Sequence, residues 1–392
     1  MEEVIKFPEN FLWGSATSAY QVEGGIENND WAKDYPAGLC CDHYHLYEQD
    51  FDLIRDLGQN AHRLSIEWAR IEPEEGKFDQ QEINHYRGVF LALKARGIKI
   101  MVTLHHFTSP LWLADKGGFA NSKSVYYFLR FAEKVFTEYR DLVDFWVTIN
   151  EPLIYVTYCL PLIRPEESIS PKLWVSALKT IRNQILSHRK IYQRLHQLGG
   201  NKVQVGLVTN NSYLAPYNSQ SLLDKLSVKI ADYLWNEFFL NRIKDNLDFI
   251  GLNYYFSNKI KFPFSRKNEC QLVSDLGWGI VPEGIYHTLM DLREYRLPIY
   301  ITENGLADSQ DRLRKDFIRD HLYWTWRAIE NGADVRGYFY WSLLDNLEWD
   351  KGFDPRFGLV EMNYETMERI LRPSAYYYAK ICKANSLIVN RG

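Results

Sequence analysis

The chain has 392 residues, a formal net charge of −4, and 46% apolar and 15% aromatic side chains. That balance supplies no basic field for nucleic acid or an anionic membrane surface, and no run of about 18 apolar residues suggests a membrane span. The length fits two average domains or one large α/β barrel; with no Pro/Gly/Ser tract, charge block or internal repeat to mark a linker, one catalytic domain over residues 1–392 is expected.

Met1 to Glu9 is polar and runs straight into a first strand, which predicts no signal peptide and makes the cytoplasm the default compartment. Strand-like runs follow at 11–17, 61–68, 99–107, 145–150, 202–209, 247–254, 297–302 and 337–343. Between them lie stretches with helical spacing, such as Tyr47, Phe51 and Ile54, or Leu178, Ile181 and Ile185. Eight strands alternating with helices predict an α/β fold, a single (β/α)8 TIM barrel with its chemistry at the carboxyl ends of the strands. Five cysteines, Cys40, Cys41, Cys159, Cys270 and Cys382, are odd in number and show no C-x-x-C pair; free buried thiols are expected.

Two strand ends carry an acid. Glu151 follows the fourth run in Thr148-Ile149-Asn150-Glu151-Pro152, and Glu303 follows the seventh in Ile301-Thr302-Glu303-Asn304-Gly305. Either glutamate alone could equally cap a helix or pair with an arginine. Together, in the barrel register, they meet at one rim, which is how a barrel hydrolase supplies two catalytic carboxylates. Gln21, Arg63, His106, Asn253, Tyr255 and the segment from Trp341 to Trp349 collect at other strand ends. The surplus of Trp and Tyr suits a sugar, whose C–H faces favour aromatic rings, although packing claims most of these rings.

These segments resemble glycoside hydrolase family 1, the retaining β-glucosidase and β-galactosidase family, almost end to end. The resemblance runs through Phe11-Leu12-Trp13-Gly14-Ser15-Ala16-Thr17, Arg63-Leu64-Ser65-Ile66-Glu67-Trp68, Thr103-Leu104-His105-His106, Asn150-Glu151-Pro152, Gly251-Leu252-Asn253-Tyr254-Tyr255, Thr302-Glu303-Asn304-Gly305 and Trp341-Ser342-Leu343-Leu344-Asp345-Asn346-Leu347-Glu348-Trp349. It implies Glu303 as nucleophile and Glu151 as acid and base, with Arg63 and Tyr255 positioning the nucleophile and Asn150 binding the 2-hydroxyl. Gln21, His106, Asn253, Glu348 and Trp349 would bind the sugar, Trp341 would stack on it, and Phe357 would form an apolar wall. A cis bond between Trp341 and Ser342 is implied, and no cofactor. Glu348, followed by Trp349 and Asp350, disfavours a 6-phosphorylated sugar. The expected partner is therefore a small unphosphorylated β-glycoside or oligosaccharide.

The chain departs from the family in length. Residues 160–165 lack the usual glycine-rich turns, and both the stretch from 211 to 248 and the loop before Cys40 are abbreviated, so a shallow, open leaving-group region is expected. Phe107 stands where many relatives have tryptophan. Three rival readings remain: a transglycosylase on the same site, a catalytically weak glycan-binding barrel, and a metal hydrolase built on His43, His45, His105 and His106. For the last, the histidine spacing matches no metal motif, and metal ligands are not expected.

Overall fold

Short strands rich in Val, Ile, Phe and Tyr, buried along nearly their whole length, are what a sheet covered on both faces requires. In the computed structural model, which describes residues 2–159 and 171–390, all eight expected strands form: β1 (Leu12–Ala16), β2 (Ala61–Ser65), β3 (Lys99–His105), β4 (Phe145–Asn150), β5 (Val205–Asn210), β6 (Phe249–Asn253), β7 (Ile299–Asn304) and β8 (Val335–Trp341). Each pairs in parallel with the next, and β8 returns to β1, so the sheet closes into a barrel. The helices α1 (His43–Asp56), α2 (Gln80–Ala95), α3 (Ser124–Tyr139), α4 (Pro171–Gly199), α5 (Leu222–Asp232), α6 (Glu283–Arg293) and α7 (Arg314–Glu330) link successive strands, and α8 (Pro373–Ala384) follows β8. The expected (β/α)8 architecture is the observed one.

Two apolar layers hold it. Ala16, Ala61, Met101, Val147, Phe249 and Phe339, drawn from different strands, pack inside the barrel. Side chains on the alternate strand face meet the helices, as where Trp146 lies 5.2 Å from Phe136 of α3. On α1 the expected stripe is present: Phe51 and Ile54 are buried and Tyr47 is half-buried. On α4 the stripe holds only further along, where Ile185, Ile191 and Leu195 are buried. Leu178, expected on the core face, is 61% exposed because the first turns of α4 border an open cleft. Periodicity identifies a helix face; it does not say how far along that face the neighbour extends.

At the end of the barrel away from the glutamates, Glu2–Lys6 pairs antiparallel with Ser386–Asn390, and Trp13 Nε1 donates to Asn385 Oδ1 at 2.9 Å. The segment expected to lead directly into the first strand is thus a strand itself, clasping the two chain ends. Cys40, Cys41 and Cys382 are buried free thiols, whereas Cys270 is only partly covered, because the loop carrying it lies at the surface. The side chain of Cys159 and residues 160–165 lie outside the described residues. No helix among those described is long and apolar enough to cross a membrane.

Candidate active site

The strand ladders slip just before each key acid. The β4–β5 pairing shifts register between Val147 and Asn150, and the β7–β6 pairing shifts between Ile301 and Glu303. Such an irregularity re-aims the side chains that follow it. Glu151 then adopts a positive φ of 42° as the chain turns into the helix beginning at Pro152. Sequence-distant residues meet through these turns in one hydrogen-bonded network.

Glu303 is gripped at both oxygens. Its Oε1 accepts from Arg63 Nη1 at 2.5 Å and its Oε2 from the Tyr255 hydroxyl at 2.6 Å. Arg63 is 1% exposed and fully committed, with Nη2 donating to Asn150 Oδ1 at 2.7 Å and Nε to Thr103 at 3.1 Å. Glu151 sits in a different setting. Its Oε1 accepts from Asn253 Nδ2 at 2.6 Å and Asn210 Nδ2 at 3.0 Å. Those amides favour the anion, but burial, together with the negative charge of Glu303, outweighs them and lifts its carboxyl to about 7. Glu151 therefore keeps its proton near neutrality beside an acid clamped by a guanidinium and a phenol, an arrangement suited to acid-assisted displacement.

Asn253 has no amide hydrogen to spare: besides Glu151 it donates to Asn150 at 3.2 Å, and its Oδ1 accepts from Thr302 at 2.8 Å. The sequence placed it among the sugar-binding residues; the structure places it on the acid. Asn150 has its oxygen taken by Arg63 and Asn253, which orients its Nδ2 to donate to His106 Nε2 at 3.3 Å. Burial, with Arg63 nearby, keeps His106 neutral by pushing its pKa well below the usual range, so Nδ1 carries the proton. Neither His106 Nδ1 nor Gln21 Oε1 has a hydrogen-bond partner among the described residues, although both are buried. Gln21 is nonetheless fixed through Nε2, which donates to the Leu347 carbonyl at 2.7 Å and Asn346 Oδ1 at 3.2 Å.

Aromatic rings enclose these polar atoms. His106 lies nearly parallel to both Trp341 and Trp349, with centroids 6.0 Å apart in each case. Phe357 packs 6.3 Å from Tyr255. The Trp341–Ser342 peptide is cis, as expected. Glu348 joins the same field: burial, followed by the charges of Glu303, Glu151 and Asp350, raises its carboxyl to about 8. Of the candidate metal ligands, His43 is bonded to Asp50 at 2.7 Å and His45 to Asp42 at 2.6 Å.

Sequence reading missed Asn210, because the fifth strand was taken to end at 209, one residue before its carboxyl end. It also missed Trp278, from the loop after β6, whose ring lies 5.8 Å from Tyr255 and 6.2 Å from Phe357. No local pattern marks that loop. On the other side of Glu151 the described residues border an open cleft of about 920 Å3.

A closed parallel barrel bearing two buried carboxyls with different hydrogen-bond partners, ringed by indoles and amides, defines a glycoside hydrolase. The comparisons agree. The profile of glycosyl hydrolase family 1 matches residues 3–244 and 239–387. The chain is 33% identical to Beta-glucosidase A of Thermotoga maritima, over 98% of this chain and 99% of that one. Among solved structures, a beta-glycosidase from Pyrococcus horikoshii superposes with a TM-score of 0.91 at 39% identity, covering 97% and 96% of the two chains. The Beta-glucosidase from Thermotoga maritima in complex with glucoimidazole gives 0.89 at 31% identity, with 97% and 99% covered. The chain belongs to glycosyl hydrolase family 1, and it is a β-glycosidase.

Proposed function

We propose that this chain, acting as one catalytic unit, is an exo-acting retaining β-glycosidase that hydrolyses unphosphorylated β-D-glucosides, with β-galactosides or β-fucosides as further substrates. The observation that carries the reading is the contrast between Glu303, clamped by Arg63 and Tyr255, and Glu151, kept protonated near neutrality. In the first step Glu303 attacks the anomeric carbon, the glycosidic C–O bond breaks, and the Glu151 proton passes to the departing oxygen. The resulting ester removes the charge of Glu303, which is the specific cause that held the Glu151 proton beyond burial itself. Glu151 then takes a proton from water, whose oxygen attacks the anomeric carbon and releases Glu303. Two inversions give net retention.

Gln21, His106, Glu348 and Trp349 are assigned to the hydroxyls of the single bound sugar, Trp341 to stacking, and Phe357 to an apolar wall. The unpartnered Gln21 Oε1 and His106 Nδ1 support this, since buried polar atoms are ordinarily satisfied and a sugar would satisfy them. Glu348 and Asp350, both acidic, favour a neutral sugar over a 6-phosphorylated one.

Hydrolysis of aryl β-D-glucoside, with the released anomer followed by NMR, tests the reading. The β-anomer should appear first. Glu303→Gln should lower kcat/KM by roughly 10⁴-fold or more, the scale on which removing a nucleophile acts. Glu151→Gln should cost about 10²–10⁴-fold for poor leaving groups and less for good ones. Initial release of the α-anomer would overturn the assignment of Glu303 as nucleophile.

A further inference from the structure

His106 is followed by a backbone reversal that other parts of the chain hold in place. Phe107 has a φ of 71°, a left-handed conformation that a bulky side chain rarely adopts. Such a turn persists only where its surroundings over-determine it. This one follows β3 directly and sets two rings of the sugar pocket: His106, whose Nε2 accepts from Asn150, and Phe107, whose ring lies 5.1 Å from Trp349. Within the turn, His105 Nε2 and the Ser109 hydroxyl lie 3.4 Å apart.

Two buried carboxyls from neighbouring strand connections hold the two residues that come next. Thr108 Oγ1 donates to Glu67 Oε2 at 2.8 Å, and both residues are buried. Glu67 is itself fixed: its Oε1 accepts from the Ala69 N–H at 3.2 Å, and its own N–H donates to the Tyr86 hydroxyl at 3.0 Å. The Ser109 N–H donates to Asp30 Oδ1 at 2.8 Å, and the Asp30 N–H donates back to the Ser109 carbonyl at 3.0 Å. Asn29 Oδ1 keeps that loop turned by accepting from the N–H groups of Trp31 and Ala32 at 3.0 and 2.9 Å. The same loop braces the pocket from behind, since the Trp31 ring packs 4.7 Å from Trp349.

Among the described residues neither carboxyl forms an ion pair; Arg70, which lies near Glu67, is bonded to Glu23 at 2.9 Å. A carboxyl buried without a cation is unfavourable to the fold unless its oxygens are used. Here they are used on one turn. We propose that Glu67 and Asp30 are positioning residues for sugar binding: through Thr108 and Ser109 they hold the left-handed turn at Phe107, which keeps the Nδ1–H of His106 directed at one hydroxyl of the bound sugar. This rests on the reading of the site as a β-glycosidase. Neither carboxyl touches the sugar or the reacting atoms.

The test pairs Thr108→Val, which removes the donor to Glu67, with Thr108→Ser, which keeps it, and Asp30→Ala with Asp30→Asn, which keeps an oxygen for the Ser109 N–H. Two quantities are read: kcat/KM for an aryl β-D-glucoside, and the calorimetric affinity for deoxynojirimycin, a sugar-shaped inhibitor. A net hydrogen bond is worth about three- to tenfold in an equilibrium, so both should fall by about that factor in Thr108→Val and Asp30→Ala and recover to within about twofold in the conservative variants. Deoxy sugars locate the effect. Among aryl glucosides lacking the hydroxyl at carbon 2, 3, 4 or 6, the one without the His106 partner should be hydrolysed equally by wild type and Thr108→Val, while the rest keep the difference. A lowered Tm with kcat/KM and affinity unchanged would make both clamps purely structural and overturn the proposal. So would losses that the conservative variants fail to restore, or that persist equally on every deoxy glucoside. Weakened deoxynojirimycin binding in the variants, with no glucoside hydrolysed by wild type, would instead overturn the β-glycosidase reading and leave the clamps standing.

Discussion

At the scale of single residues, the site works by giving two identical side chains different surroundings. Glu303 receives a cation and a phenol; Glu151 receives two amides and the field of Glu303. The acid must be protonated to assist departure, so kcat/KM should fall as pH rises through about 7. Asn210 tunes that limb. It donates to Glu151, which favours the anion, and removing it in Asn210→Ala should raise the Glu151 pKa. A hydrogen bond to a charged group is worth about 1.5–3 kcal/mol, and one pKa unit is about 1.4 kcal/mol, so the alkaline limb should move up by about one to two units. A pH profile of kcat/KM for an aryl glucoside measures this. A limb that stays in place or moves down would mean that Asn210 does not act on the protonation of Glu151.

At the scale of elements, the site depends on how closely the ends of β7 and β8 approach. A Cβ on Gly305 would overlap the carbonyl oxygen of Trp341, and a backbone atom, unlike a flexible side chain, has no room to yield. Gly305→Ala should therefore destabilise the protein by about 1–3 kcal/mol and, by displacing Glu303 against Trp341, lower kcat/KM by about 10²-fold. Gly88, inside α2, supplies the contrast: the added methyl meets only the Tyr47 hydroxyl at 3.6 Å. Gly88→Ala should stabilise by about 0.5–1 kcal/mol with activity retained. Thermal melts and kcat/KM for both variants check the pair; equal behaviour would show that the strand-end contact carries no special constraint. The same elements explain what the sequence made legible. Strand runs and the acids that end them lie within a few residues, so Glu151 and Glu303 could be placed before any coordinates existed. The partnership of Asn210 with Glu151 spans 59 residues and hangs on one residue at a strand boundary. Trp278 sits in a loop with no periodicity to read, and the cleft beside α4 and α5 arises from what their faces do not touch. Local patterns encode which face is apolar; they do not encode what, if anything, covers it.

At the scale of the whole molecule, the buried acids link stability to pH. Four carboxyls are raised to about 7 or 8, with burial the leading cause in each: Asp30, Glu67 and Glu151 to about 7 and Glu348 to about 8. Unfolded, each would titrate near 4. Between those limits these sites bind more protons in the folded state than in the unfolded one, so their contribution to stability falls as pH rises from about 4 to about 8. Asp50 and Asp144 act the other way. Burial alone would raise them, but His43 and Arg369 outweigh it for Asp50, and Lys94 and Lys99, with the Ile100 amide, outweigh it for Asp144, holding both below the usual carboxylate range. Their contribution is present above about pH 4 and is lost as pH falls further. Burial also lowers His62, His85, His105, His106, His188 and His321, which would take up protons in the unfolded chain below about pH 6.5, so stability falls with acid there as well. The Tm should therefore be highest near about pH 6–7 and decline toward pH 8. Glu348→Gln removes one titrating group without a change of shape, so its Tm should match wild type at pH 5 and exceed it at pH 8 by about 2–4 °C, at the expense of sugar binding. If the two curves run parallel from pH 5 to pH 8, the carboxyl of Glu348 does not titrate in this window, and its interaction with Glu151 and Glu303 is weaker than their shared pocket implies. A sloping difference would mean that the proton-holding field used for catalysis is also a standing cost to the fold, one that a bound sugar, by hydrogen-bonding Glu348, would relieve.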